Sequence, residues 1–146
     1  MTLLELVVTG IIFMLFLTSF TSVAVTHHRH LSYLLNRLAV DREARTARAF
    51  LVADLSSVSS VALAGPEKLQ LNYGGDIPRW TAYADNAGCL MRQDSSTNAS
   101  FVAARYVDSA SFSIDANQNA AISLSFTKGT ATVRLHVAVN TPLVGA

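Results

Sequence analysis

Few residues in this chain have the type and spacing that chemistry requires. Glu5 stands directly ahead of 21 uncharged residues, Leu6 to Thr26. A carboxylate at that place is costly unless it finds a partner or lies at the headgroup level of a membrane. His27, His28 and His30 follow the apolar run, and His27 and His30 fall on one helical face. Two imidazoles with Arg29 between them, and no carboxylate or cysteine in the next ten residues, fall short of the three or four converging ligands of a stable metal site. The bland reading, an interfacial collar, is preferred. Cys89 is the single cysteine, so no intrachain disulfide can form, and a small buried residue is expected there. Five arginines lie between Arg29 and Arg48, but Asp41, Glu43 and Asp54 leave a local balance of only +2, and aromatic interleaving is limited to Tyr33 and Phe50. Nucleic-acid binding is not expected. The chain contains no GxSxG, HExxH, phosphate loop or paired-carboxylate cluster, so neither catalytic residues nor a cofactor are expected. Asn98-Ala99-Ser100 fits the glycosylation sequon, a pattern short enough to occur by chance.

The elements that carry these residues follow from composition. The 146 residues make one domain's worth of chain, 51% hydrophobic and 14% charged, with a formal net charge of +1. That balance excludes a disordered chain and a general polyanion binder. The apolarity is concentrated at the front, where Leu6 to Thr26 would reach about 30 Å as a helix, the thickness of a bilayer's hydrocarbon core. No lysine or arginine precedes the run and Glu5 is the first charged side chain, so a secretory signal peptide is the weaker reading.

No proline interrupts Met1 to Ser60 and Gly10 is the only glycine, so the helix should continue. Leu31, Leu34, Leu35 and Leu38 recur at helical spacing, followed by Ala47, Phe50, Leu51, Asp54, Leu55 and Val58, a set interrupted by one acid. Ser56, Ser57, Ser59 and Ser60 supply the helix end. Beyond them, strands are expected near Leu69 to Tyr73, Trp80 to Ala84, Cys89 to Gln93, Phe101 to Val107, Ser111 to Ile114, Ile122 to Thr127 and Ala131 to Val139. The last two form a hairpin around Lys128-Gly129, in which Ile122, Leu124 and Phe126 alternate with Ser123, Ser125 and Thr127, and Val133, Leu135, Val137 and Val139 return with Arg134 and His136 on the other face. The stem from Leu31 to Val58 is the expected cover for the oily face. The expected architecture is therefore α+β, a long N-terminal helix with its apolar half protruding and the rest packed on an antiparallel sheet. It divides into a transmembrane or filament-core helix over 1–26, an amphipathic continuation over 27–58, and a β-sheet domain over 59–146.

The opening residues MTLLELVV, the long apolar helix and the sheet that follows resemble the mature N-terminus and architecture of the type IV pilin and pseudopilin superfamily. The resemblance implies that a short basic leader ending in glycine is removed by a prepilin peptidase, that Met1 is N-methylated, and that the Met1 amine pairs with Glu5 of a neighbouring subunit during assembly. The buried carboxylate thereby gains a charge partner. The prolines that many major pilins carry in the stem are replaced by Ser22 and Arg42, which predicts a straighter helix, with Thr18, Ser19, Thr21 and Ser22 as a polar weak point. The C-terminal disulfide of many such pilins is excluded by the lone Cys89. The cadence of Trp80 to Phe126, with GCLMR and RYVDSASFSI, is similar to that of minor pseudopilins and minor pilins of the J type.

The expectation is thus a non-enzymatic filament subunit, minor or priming, held in the inner membrane with an extracytoplasmic domain before it enters a pilus or pseudopilus. Its partners would be other pilin or pseudopilin subunits and the prepilin peptidase. The alternatives are the major pilin of the filament, a membrane-anchored periplasmic binding module that never polymerises, and a tethered periplasmic enzyme. The His27–His30 cluster would stay cytoplasmic if positive charge alone set orientation, whereas the family places that end outside.

Overall fold

A stretch with no proline from Met1 to Ser60 gives an uninterrupted helix. In the computed structural model, which describes residues 2–65, 68–75, 79–115 and 119–139, α1 spans Leu3–Leu55, 53 residues or about 80 Å. Gly10 leaves its helical path undisturbed, and the hydroxyls of Thr18, Ser19, Thr21 and Thr26 each donate to a carbonyl three or four residues back. The polar weak point is therefore hydrogen-bonded helix. At the other end, Ser56 Oγ donates to Ala53 O at 2.7 Å and Ser57 Oγ to Asp54 O at 3.3 Å, so the serine run closes the last turn as expected.

Eight strands follow: β1 Ser60–Gly65, β2 Lys68–Tyr73, β3 Arg79–Asn86, β4 Cys89–Asp94, β5 Ala99–Arg105, β6 Val107–Ile114, β7 Ala120–Lys128 and β8 Ala131–Val139. They form two antiparallel sheets, in the orders β1-β2-β3-β4-β5 and β6-β7-β8. The architecture is α+β, with the C-terminal part of α1 packed on antiparallel sheet. β1 is an addition to the expected strands. Its sequence SVALAG has neither alternation nor β-branched density, and it is held by pairing with β2 (Val61 opposite Leu71) and by Ser59, whose N–H and Oγ both donate to Asn72 O at 2.9 Å. The expected strand from Phe101 to Val107 is cut at Tyr106, whose φ of 61° lets the chain leave the first sheet and start the second. The turn of the last hairpin is Gly129-Thr130, with Gly129 at φ 60°, one residue later than expected.

The chain makes two units, Met1–Leu35 and Asn36–Ala146. In the second, α1 buries Val40, Ala44, Ala47, Leu51 and Leu55 among Leu69, Leu71, Tyr83, Leu90, Phe112, Ile122, Leu124 and Phe126. The spacing of four, three, four and four residues is one helical stripe, and its two alanines let the helix backbone lie close to the sheets. Of the expected cover from Leu31 to Val58, Ala47, Leu51 and Leu55 take their place in the core, whereas Leu31, Leu34, Leu35 and Leu38 are 44–66% exposed and are corrected here. At about 100° per residue Leu38 lies on the side of α1 opposite Val40, whereas the half-buried Asn36 continues the Val40 stripe. Within this unit the sheets cover the Val40 side of α1 and leave Leu38 open.

In the first unit the side chains of α1 from Leu3 to Val25 are exposed in this single chain, and the helix is long and apolar enough to cross a membrane.

Candidate functional site

Glu5 occupies the first turn of α1, where four backbone N–H groups lack intrahelical partners. Its Oε2 accepts from the Thr2 N–H at 3.1 Å, and Thr2 Oγ1 accepts from the Glu5 N–H at 3.4 Å. This is a reciprocal capping box, and the sequence carries its signature, Thr2-x-x-Glu5, ahead of an apolar run. The cap was missed because the acid was weighed only as a charge needing an outside partner. Met1, the other residue expected at this site, lies outside the described residues.

The histidines are exposed on α1. His27 and His30 do share a face, and with Ser22, Val23 and Thr26 they line a shallow hollow of about 400 Å³; His28 is not among its lining residues. Among the described residues no three of His, Cys, Asp and Glu converge as a metal site would require. Cys89 begins β4, half-buried, opposite Asn86 and Arg105. Asn98 sits with φ 51° in an exposed turn, so the sequon is on the surface. Of the stem arginines, Arg45 pairs with Asp41 at 2.8 Å on the exposed face, an interaction worth a few tenths of a kcal/mol. Glu43 is held elsewhere, accepting the backbone N–H of Arg105 at 2.9 Å.

The densest polar cluster surrounds Asp54, the acid that seemed to interrupt the helical stripe. Arg92 on β4 grips it with two parallel bonds, Nε to Oδ2 at 2.7 Å and Nη2 to Oδ1 at 2.9 Å, and the Tyr83 hydroxyl on β3 donates to Oδ2 at 2.6 Å. The paired side chains are only 14% and 15% exposed. The forked geometry gives both carboxylate oxygens a charged donor, so the acid is accommodated in the core. Arg92 also lies 3.7 Å from Asp94 and over the Phe101 ring at 5.3 Å. Burial, reinforced by the bond to Asp54, pushes the Tyr83 phenol well above the usual tyrosine range, and the same carboxylate holds the Arg92 guanidinium still more firmly protonated. Burial likewise raises Tyr73, while the Ser96 hydroxyl and N–H, donating to Asp94, hold that carboxyl below the usual range.

A groove of about 400 Å³ opens beside the cluster, bordered by Tyr73, Arg79, Trp80, Arg92 and Asp94. Its central charges are already matched to one another, so the cluster pins the end of α1 to β3 and β4 rather than presenting free groups to a ligand. An acid at a core-facing helical position was the available signal, because such a group needs a buried cation. Which arginine would supply it depended on a register that periodicity alone does not give.

No protein-family model matches the chain, and neither the curated proteins nor the solved structures return a match.

Proposed function

We propose that this chain is a non-enzymatic structural subunit of a type IV pilus or pseudopilus filament, minor or priming, stored in the inner membrane and assembled through α1. The observation that carries the reading is the length of the open apolar face. Exposed apolar side chains run from Leu3 to Val25 and, past the polar stretch from Thr26 to His30, resume at Leu31, Leu34, Leu35 and Leu38, so they extend over about 54 Å of helix, whereas a bilayer core covers about 30 Å. Lipid alone leaves the leucines from Leu31 to Leu38 in water. A bundle of parallel α1 helices from other copies would cover both lengths, giving the span one solvent before assembly and another after it.

The capping box favours a second reading, a plain anchor for a periplasmic binding module that never polymerises. The Glu5 carboxylate already has a donor within its own chain, the Thr2 N–H. In the filament reading its carboxylate turns from the Thr2 N–H to the Met1 amine of the adjacent subunit. The two readings separate on Glu5→Gln, which keeps an acceptor for the cap and removes the charge. The filament reading expects normal membrane insertion and loss of incorporation into sheared filaments; incorporation at the unaltered level would overturn it and leave the anchor.

A further inference from the structure

The second sheet has a solvent face whose charged groups are not paired with one another among the described residues. Ile122, Leu124 and Phe126 point into the core, so the intervening residues of β7 point out. The register aligns Ser109, Ser125 and Arg134 in one row and Ser111, Ser123 and His136 in the next. Each row crosses three strands and is about 10 Å long. A bulge between Val107 and Ser109 brings Asp108 to the rim of the same face. Long side chains on β8, short serines in the middle and Asp108 on β6 leave a hollow of about 320 Å³.

The chemistry of the hollow has a direction. At the β8 side Arg134 offers a guanidinium with no carboxylate partner among the described residues, and His136 shares a 2.8 Å hydrogen bond with Ser123 Oγ through Nδ1, which leaves Nε2 for a ligand. At the β6 side stands a carboxylate, and between them lie hydroxyls able to donate or accept. No aromatic ring lines the hollow, so a flat apolar ligand has nothing to stack on. A bare dianion would be drawn to Arg134 but repelled by Asp108. A neutral sugar would leave the guanidinium unused.

We propose that this face binds a carboxylated sugar, a uronic acid unit or its equivalent at a glycan end. The carboxylate sits on Arg134 and His136, and the ring hydroxyls exchange hydrogen bonds with Ser123, Ser125 and Asp108. The site is independent of the stem, so it stands whether or not the chain polymerises.

The test uses the full chain, nitrogen-15 labelled in detergent micelles and titrated with glucuronate, glucose, acetate and inorganic phosphate. Glucuronate should give saturating shifts confined to β6, β7 and β8, with glucose and acetate each at least tenfold weaker, because each supplies half of the recognition. Arg134→Ala should weaken glucuronate about tenfold, and Asp108→Asn should narrow its preference over phosphate. Both residues are exposed, so an otherwise unchanged spectrum certifies the fold of each variant. The proposal is overturned by the absence of saturation with glucuronate, by acetate or phosphate binding equally well, or by full binding in Arg134→Ala.

Discussion

The two halves of α1 meet the same requirement, that polar groups away from water be satisfied, by opposite routes. In the apolar half the hydroxyls of five residues and the one carboxylate are satisfied within the helix itself. Thr9, Thr18, Ser19, Thr21 and Thr26 return their hydroxyls to their own backbone, and Glu5 caps its own first turn. Nothing polar there depends on the sheets. In the sheet-packed half, Asp54 is satisfied only from a distance in sequence, by Tyr83 and Arg92, 29 and 38 residues away. Self-sufficiency suits a helix that changes surroundings, whereas long-range bonding suits one fixed in a core. The contrast also separates two kinds of apolar face. The stripe from Val40 to Leu55 is closed by the protein's own sheets, and the leucines from Leu31 to Leu38 stay open.

The sharpest way to break the contrast is at Arg92. Arg92→Ala leaves Asp54 nearly buried with one neutral donor, and removal of one member of a buried pair costs about 3–5 kcal/mol. Asp54→Ala should cost less, because Arg92 can turn to Asp94, already 3.7 Å away. Replacing both with leucine should recover much of the loss, since a well-packed apolar pair needs no charges. Urea unfolding of the full chain in micelles reads all three. Equal losses for the two single variants would show that Asp94 offers no refuge.

A second comparison sets leucine against leucine. Leu51 is fully buried and Leu35 is 59% exposed, although both belong to helical repeats of similar appearance. Leu51→Ala should destabilise the chain by about 2–5 kcal/mol through lost burial and a residual cavity. Leu35→Ala should stay within about 0.5 kcal/mol by the same measurement. If Leu35→Ala proves as costly as Leu51→Ala, the open face is closed within the single chain, and the argument for covering it with other copies fails.

These leucines also mark the limit of what the sequence disclosed. Local patterns were legible where local physics decides: the unbroken helix, its serine terminus, and the last hairpin, whose Ser123, Arg134 and His136 alternate away from the core as read. Which side of a helix meets the sheet is a tertiary decision: of the two apolar sets, Ala47, Leu51 and Leu55 do enter the core, whereas Leu31, Leu34, Leu35 and Leu38 stay exposed. The small stripe Val40-Ala44-Ala47 won because close approach of helix and sheet rewards small side chains. β1 was invisible for a related reason, since pairing with β2 rather than its own composition makes it a strand. At the candidate sites the same division holds. Glu5 was found but its local cap was not, although Thr2-x-x-Glu5 spells it, whereas the partners of Asp54 required a register that only the folded sheet supplies.

The smallest expected effect tests the Asp54 cluster without breaking it. Tyr83 is fully buried and its hydroxyl donates to Asp54, so its phenol resists ionisation in the folded chain. In the unfolded chain it ionises near pH 10 like any tyrosine. Below that pH both states hold the proton and this group makes stability independent of pH. As pH rises past 10 only the unfolded state loses the proton, so stability falls, and the loss continues until the folded phenol would ionise. Ultraviolet titration of the four tyrosines should therefore show Tyr83 lagging the most, behind Tyr73, which burial also raises, with ionisation of Tyr83 accompanied by loss of folded circular dichroism. Tyr83→Phe should abolish the last of these steps, leaving that of Tyr73, and cost about 1 kcal/mol at neutral pH, because Asp54 keeps both bonds from Arg92. Ionisation of all four phenols together, with the fold intact, would mean that the cluster is open to water and that the two halves of α1 differ less than their hydrogen bonds imply.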